Sequence, residues 1–236
     1  MSKPRYGQAR IPPQTGVGLF DRKDGDTAFE KIPLNEDSVW SGGLRHRVNP
    51  DAREGLAEVR SLLIDGRIPE AEKVAFQKMQ GVTPNMRHYM PLGDLKINME
   101  LPGKARDYMR DLDIADAVAD VYFSADGVRY TRNVFCSAPD DVLVVRITAD
   151  APGKITLTCS IDGRDDYYDD NRPCGENMLL YTGGTGSRDG IFFAACVGAA
   201  AKGGELRTLG GCLSVNNADE VVIVLSARTS FYGEDY

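Results

Sequence analysis

The sequence is poor in the residues on which most catalytic and metal sites depend. It contains two histidines, His46 and His88, and a single tryptophan, Trp40, among 236 residues. It has no His-Glu-x-x-His, Gly-x-Ser-x-Gly or Cys-x-x-Cys pattern. The sequence motifs of a zinc hydrolase, a serine esterase and a thiol redox pair are therefore missing. We therefore expect neither a metal site nor a cofactor.

The chain also lacks an excess of positive charge and any long apolar run. Its formal net charge of −7 argues against binding to a phosphate backbone, which requires a basic face. No apolar stretch approaches the roughly 20 residues that span a bilayer. The basic start, Met1–Tyr6, is not followed by the apolar stretch of a signal peptide. We expect no nucleic acid or membrane partner and a cytoplasmic location, or a secreted or periplasmic one if a signal peptide has been removed.

The cysteines do not form a disulfide framework. There are five, an odd number, and Cys136, Cys159 and Cys196 lie within strand-like runs. Free cysteine in such a position behaves as a small buried apolar residue. This usage favours a reducing compartment, in agreement with the cytoplasmic prediction.

What the sequence does contain is a long series of alternating apolar and polar residues. Leu95, Ile97 and Met99 alternate with polar neighbours, as in a half-buried strand. Asp126-Gly127 predicts a type I′ hairpin that sets Phe123 opposite Tyr130. Further strands are predicted at 117–124, 128–137, 142–148, 155–161, 178–182, 191–197, 205–215 and 221–227. Many short strands joined by turns predict a mainly β fold, with two antiparallel sheets packed together.

One segment, at about 50–80, has helical periodicity instead. Asn49 and Pro50 are suited to a helix start, and Leu56, Val59 and Leu63 recur at helical spacing until Asp65-Gly66. Pro69 begins a second helix. We expect this two-helix insert to pack its apolar stripe on a sheet face.

The stretch Ile32–Gly43 holds the tryptophan and is the first candidate site. Asn35, Glu36 and Asp37 precede Trp40, and an aromatic ring beside amide and carboxylate groups is suited to a sugar. The alternative is a strand end, with Ile32 and Leu34 inward and a polar turn after them.

Three other stretches have more than one interpretation. The acidic segment 162–176 surrounds Tyr167 and Tyr168, and it predicts an exposed charged loop, a sugar contact or a calcium site. His88 is either a solvated loop residue or part of a site. The segment 183–187 is glycine-rich but lacks the Lys of a phosphate loop, so a hairpin turn is favoured.

Several motifs, in order, resemble the start of glycoside hydrolase family 95, the α-L-fucosidases. The first is Leu34-Asn35-Glu36-Asp37-Ser38-Val39-Trp40-Ser41-Gly42-Gly43. It is followed by Asn49-Pro50-Asp51-Ala52, Tyr89-Met90-Pro91-Leu92-Gly93-Asp94-Leu95, Tyr108-Met109-Arg110-Asp111-Leu112-Asp113, Asp126-Gly127-Val128-Arg129-Tyr130-Thr131-Arg132 and Ser137-Ala138-Pro139-Asp140. The resemblance implies an N-terminal β super-sandwich over residues 16–236, preceded by an irregular arm at 1–15.

In that family the catalytic (α/α)6 barrel follows this domain, and no motif here matches its catalytic groups. The resemblance therefore implies a non-catalytic domain of an α-L-fucosidase or α-L-galactosidase type enzyme, which supports the barrel and lends loops to its glycan site. We expect the chain alone not to hydrolyse fucosides. The alternatives are a stand-alone carbohydrate-binding module and the head domain of a family 65-like phosphorylase. No catalytic residue is carried over, and the residues expected to face sugar or barrel are Asn35, Asp37, Trp40, His88, Tyr89, Tyr167 and Tyr168.

The end of the chain is rich in aromatic residues. Phe231, Tyr232 and Tyr236 follow a strongly apolar strand. If a barrel normally covers them, they form an exposed apolar patch in its absence. Such a patch favours self-association, so we expect a weak homodimer through this end.

Overall fold

Two antiparallel β-sheets stacked face to face form the body of the protein. The computed structural model describes residues 27–42, 46–82, 87–164, 167–186 and 189–233. One sheet has five strands in the order β1-β2-β7-β12-β11, and the other has eight in the order β3-β4-β5-β6-β13-β10-β9-β8. The predicted mainly β sandwich is confirmed. The predicted arm at 1–15 lies outside the described residues.

The strands follow the sequence with few interruptions. Their bounds are β1 Phe29–Leu34, β2 Gly93–Met99, β3 Arg106–Asp113, β4 Val118–Ala125, β5 Val128–Ser137, β6 Val142–Ala149, β7 Ile155–Asp162, β8 Tyr168–Pro173, β9 Met178–Gly184, β10 Phe192–Lys202, β11 Glu205–Leu209, β12 Cys212–Ala218 and β13 Glu220–Thr229.

The core lies between the sheets and is built by period-two alternation. Leu95, Ile97 and Met99 of β2 point inward and are almost completely buried, whereas Lys96 and Asn98 point outward. The same alternation continues through β4 to β7 and β13, so one apolar layer joins both sheets.

The predicted hairpin is confirmed in detail. Asp126 and Gly127 both have positive φ, 49° and 78°, as a type I′ turn requires. Phe123 pairs with Tyr130 across the strands, and their rings stack with centroids 5.1 Å apart.

A buried ion pair joins the two sheets near the start of β1. Arg132 of β5 is 1% exposed and donates to a carboxylate oxygen of Glu30 on β1. Arg110 of β3 donates to the other oxygen of Glu30 at 2.6 Å. Two guanidinium groups from the large sheet therefore hold one carboxylate of the small sheet in the interior.

The sequence prediction of strands differs from the structure in three places. The predicted strand 205–215 is two strands, β11 and β12, because Gly210-Gly211 forms a turn between them, with Gly210 at φ 56°. The segment 162–176 is not only a charged loop, since β8 occupies Tyr168–Pro173. β3 was not predicted either. Both β3 and β8 are sheet-edge strands with mostly exposed side chains, so they lack apolar alternation.

The helical insert was correctly located but wrongly packed. It comprises α1 (Ala52–Ile64), α2 (Ile68–Val74) and one π-helical turn (Ala75–Met79), and α1 begins two residues later than Pro50 predicted. The expected packing of this insert on a sheet face is wrong: its helices pack mainly on one another. Gly55 lies against the Lys78 side chain. In the described chain no helix is long and apolar enough to cross a membrane.

Candidate functional site

The two ends of the sandwich differ, and the candidate site lies at one of them. Strands β1, β5, β7, β9 and β13 finish at this end, and β2, β6 and β10 begin there, as the strand registers require. We call it the aromatic end, because it carries the exposed or half-buried rings of Trp40, Tyr89, Tyr168, Phe192, Phe231 and Tyr232. The opposite end is closed by tight turns, several with glycine at positive φ, such as Gly127, Gly153 and Gly203.

A short two-stranded ribbon holds the first aromatic pair. Trp40 forms an antiparallel bridge with Tyr89. Ser41 donates its N–H to the His88 carbonyl at 2.8 Å, and Met90 donates to the Val39 carbonyl at 2.9 Å. The Trp40 and Tyr89 rings meet edge to face, with centroids 5.3 Å apart. The helical insert leaves and re-enters the sandwich between these two strands.

The polar atoms of this ring pair are already bonded within the protein. Trp40 Nε1 donates to the Asp37 carbonyl at 3.0 Å, and the Tyr89 hydroxyl donates to the Glu36 carbonyl at 3.0 Å. Tyr89 nevertheless remains 44% exposed, and Trp40 is half-buried. What the pair offers a ligand is therefore aromatic carbon surface, the kind of platform on which sugar C–H groups pack.

A buried polar cluster fixes the loop that carries the pair. Glu36 is buried and accepts hydrogen bonds from Ser38 N–H at 2.9 Å and Ser38 Oγ at 2.5 Å. Ser38 Oγ in turn shares a hydrogen bond with Thr229 Oγ1, at the end of β13. Because a hydroxyl has one proton, Ser38 donates to Glu36 and Thr229 donates to Ser38. Burial raises the pKa of Glu36, while its hydrogen bonds with Ser38 oppose that shift.

The cluster ties the aromatic pair to the segment after β13. A 3₁₀ turn at Ser230–Tyr232 follows Thr229, and Phe231 donates its N–H to Thr229 Oγ1 at 3.4 Å. The Phe231 and Tyr232 rings form a second edge-to-face pair with centroids 4.7 Å apart, and both rings are exposed. Tyr236 lies outside the described residues.

The structure brings together some of the residues expected at a site. Asp37, Trp40, His88 and Tyr89 lie on the ribbon and its loop, and Asn35 lies half-buried at the loop start. His88 is exposed, and its backbone N–H donates to Ser41 Oγ. That these residues face a sugar or a barrel stays a prediction; the structure shows a half-buried Trp40 on a loop next to exposed Asp37.

The two other tyrosines lie on a neighbouring part of the aromatic end. Tyr167 packs partly against the core, whereas Tyr168 is exposed at its edge and stacks on buried Tyr181, with centroids 5.9 Å apart. The Tyr181 hydroxyl donates to the Leu92 carbonyl, three residues beyond Tyr89. Asp165 and Asp166, part of the possible calcium loop, lie outside the described residues.

Arg87 was not expected at the site, and the structure places it against Gly42, next to the aromatic pair along the ribbon. Gly42 lies two residues after Trp40 and Arg87 lies two residues before Tyr89, so in this antiparallel ribbon Gly42 and Arg87 form the next residue pair on the same face. A Cβ atom built on Gly42 would lie 2.5 Å from Cζ of Arg87, so the guanidinium rests directly on the glycine. The spacing Trp-x-Gly opposite Arg-x-Tyr is the sequence signal that could have found it.

Acidic groups elsewhere at this end are engaged in ion pairs. Asp94 and Asp162 lie opposite each other on β2 and β7, where like charges repel. Lys31 contacts Asp94 at 2.8 Å and Lys96 contacts Asp162 at 2.5 Å. Within the residues that the structure describes, no cluster of three or more histidine, cysteine or acidic side chains is arranged to hold a metal ion.

A two-sheet antiparallel sandwich with exposed aromatic rings at one end defines a fold class, the antiparallel β-sandwich domain, and does not by itself define a reaction. Residues 24–234 match the family described as glycosyl hydrolase family 65, N-terminal domain. The chain belongs to this family of N-terminal domains.

Its relatives include enzymes named for fucose. "Alpha-L-fucosidase 2" of Arabidopsis thaliana is 30% identical over 235 residues, which cover 89% of this chain and 27% of the relative. "Probable alpha-fucosidase A" of Aspergillus oryzae is 25% identical, with 89% and 30% covered. The chain thus spans less than a third of the length of these relatives. The predicted resemblance to the N-terminal domain of a family 95-like glycoside hydrolase is confirmed.

A solved structure titled "Putative kojibiose phosphorylase from human microbiome" is also similar. It has a TM-score of 0.42 and 13% identity, and the match covers 61% of this chain and 24% of that one.

Proposed function

We propose that the chain is the non-catalytic N-terminal domain of a family 95 glycoside hydrolase of the α-L-fucosidase or α-L-galactosidase type. In this proposal its aromatic end packs on the catalytic barrel and contributes Trp40 and Tyr89 to the rim of the glycan site. The observation that carries the proposal is the hydrogen bond between Ser38 and Thr229. It joins the candidate sugar platform to the turn after β13, which carries the exposed rings of Phe231 and Tyr232.

The distribution of exposed apolar side chains supports the same orientation. Most of the exposed aromatic rings lie at the aromatic end. The helical insert lies in the chain between the two strands of the Trp40–Tyr89 ribbon at that end, and it exposes Ile64, Ile68 and Phe76. Apolar surface of this extent is expected to be covered in the complete protein.

A chimera tests the proposal. This chain would replace the corresponding quarter of Alpha-L-fucosidase 2 from Arabidopsis thaliana, and turnover of an aryl α-L-fucoside would be measured. We expect activity in the chimera and a lower kcat/KM when Trp40→Ala or Tyr89→Ala is introduced. Phe29→Ala is the matched control, because Phe29 is 42% exposed but lies at the opposite end of β1. Equal losses in all three variants would contradict a role at the glycan site.

The isolated chain gives a second test. We expect no release of fucose from an aryl α-L-fucoside, because no motif of the chain matches the catalytic groups of the family. Turnover above a buffer blank that persists through repurification would overturn the non-catalytic assignment.

A stand-alone carbohydrate-binding module is the second candidate, and the exposed Trp40–Tyr89 platform favours it. Sugar binding by the isolated chain, combined with no effect of Trp40→Ala in the chimera, would support this alternative.

A family 65-like phosphorylase head domain is the third candidate. It predicts sugar release that depends on inorganic phosphate in the matching chimera.

The partners and location are proposals on narrower grounds. The proposed partner is a glycan held jointly with the barrel, and a weak homodimer through Phe231 and Tyr232 is proposed from their exposure. A light-scattering mass that stays monomeric at high concentration would overturn the dimer. A reducing, cytoplasmic location is proposed from the odd number of cysteines and from Cys159, which is buried in β7 with its pKa raised by burial to about 12.

A further inference from the structure

We infer that Arg87 is a specificity-determining residue of the Trp40–Tyr89 site, where its guanidinium binds neighbouring hydroxyl groups of a neutral sugar ring that lies on the aromatic pair. This inference rests on the proposed function, because it adds a polar anchor to the same candidate glycan surface. It goes beyond that proposal in naming the residue and the chemical class that it selects.

The first step is geometric. Along one face of the ribbon the order is Ser38, then the Trp40–Tyr89 pair, then Arg87 over Gly42. Residue pairs on one face of a ribbon are about 7 Å apart, close to the width of a pyranose ring with its hydroxyls. A sugar on the rings is thus within reach of the guanidinium.

The second step concerns Gly42. Its φ of +65° is unfavourable for other residues, and the guanidinium occupies the space that a side chain would fill. The backbone of Gly42 therefore leaves room for a planar, five-donor group at the next residue pair along the ribbon from the rings. Such a fork suits two adjacent acceptors.

The third step is charge. Asp37 is exposed and Glu36 is buried beside the polar edge of the rings, where both raise the pKa of Tyr89 after the larger effect of its burial. Acceptors therefore lie at one edge of the platform, and donors lie at the Arg87 edge. Hydroxyl groups both donate and accept, so a neutral polyol satisfies both edges, whereas an anionic sugar is repelled by Asp37 and Glu36.

The test uses the full 236-residue chain and its single tryptophan, whose fluorescence and indole N–H resonance report on this site alone. Methyl α-L-fucopyranoside is the neutral probe and methyl β-D-glucuronide is the anionic one. We expect the neutral probe to shift the Trp40 signals in a saturable way and to bind more tightly than the anionic probe.

Variants then separate the role of Arg87 from that of the rings. Loss of two hydrogen bonds in Arg87→Gln should weaken binding of the neutral probe at least about tenfold, and Arg87→Lys should lose less. Gly42→Ala should weaken it as well by displacing the guanidinium. Arg207→Gln, an exposed ion-paired arginine of β11, is the control and should bind as wild type. The thermal midpoint of each variant establishes that it is folded.

Three outcomes would overturn the inference: equal binding by wild type and Arg87→Gln, tighter binding of the glucuronide, or no saturable shift with either probe. The last result, together with an active chimera that depends on Trp40, would leave the proposed function standing without this role for Arg87. An inactive chimera combined with normal, Arg87-dependent sugar binding would contradict the proposed function and leave the inference about Arg87 standing.

Discussion

The interior of the sandwich and the helical insert contain the same kinds of apolar residue in very different surroundings. Ile97 of β2 is completely buried, whereas Ile64 at the end of α1 is 86% exposed. Ile97 belongs to the alternation that predicts β2, and Ile64 is the last residue of the helix that Leu56, Val59 and Leu63 predict. Periodicity thus identifies the element and the side that is apolar, but not whether anything covers that side.

The two regions also handle charge differently. Glu30 and Arg132 form an ion pair inside the sandwich, cut off from water. In the insert, Lys78 pairs with Glu58 at 2.8 Å on the surface. A pair in water is worth little, whereas breaking a buried pair leaves an unpartnered charge in the interior. The interior should therefore respond strongly to substitutions that the insert tolerates.

The largest effect is expected from Glu30→Ala. The substitution leaves Arg132 buried without its carboxylate and exposes Arg110 to repulsion by it, so the free energy of unfolding should fall by about 3–5 kcal/mol. Urea denaturation followed by circular dichroism measures the change. The control is Glu58→Ala, which breaks the surface pair in the insert. A similar small loss for both variants would contradict the contrast between the two regions.

A direct comparison of the two isoleucines should give the next largest difference. Ile97→Ala opens a cavity between the sheets and should cost about 2–5 kcal/mol. Ile64→Ala removes a side chain that is mostly in water and should change stability by less than about 0.5 kcal/mol. Denaturation of both variants under one set of conditions measures the difference. A large loss for Ile64→Ala would show that the insert is covered in solution.

Much of the sandwich was predictable because its strands are half-buried. Leu95, Ile97 and Met99 alternate with polar residues, and Asp126-Gly127 has a conformational requirement that few other dipeptides meet. β3 and β8 were missed since edge strands such as Tyr168–Pro173 have no buried face to leave a pattern. Trp40 and Tyr89 were both expected at one site, but the sequence did not predict that they pair across a ribbon. The contact between Arg87 and Gly42 was not anticipated, because the insert separates the two residues in the chain and only the ribbon register brings them together.

The next effect is a pH dependence that comes from the burial of Glu36. The pKa of Glu36 is raised by burial, so its ionised form destabilises the fold, and this cost diminishes as the pH falls through the raised pKa. Glu36→Gln removes the titration. As the pH is lowered from neutral, the stability difference between the variant and wild type should therefore change in the direction that favours wild type. Parallel pH profiles for Glu36→Gln and wild type would mean that burial does not perturb the Glu36 carboxyl.

The smallest effect on stability is expected from Phe76→Ala in the π-helical turn. Phe76 is 68% exposed, and alanine keeps the helical preference of the segment, so the free energy of unfolding should change by less than about 0.5 kcal/mol. If the apolar side of the insert is a contact surface, the same substitution should weaken binding to whatever covers it. In the chimera with the fucosidase catalytic region, we therefore expect a lower thermal midpoint for Phe76→Ala although the isolated chain is unaffected. A variant that is neutral in both settings would show that this side of the insert faces solvent in the complete enzyme as well.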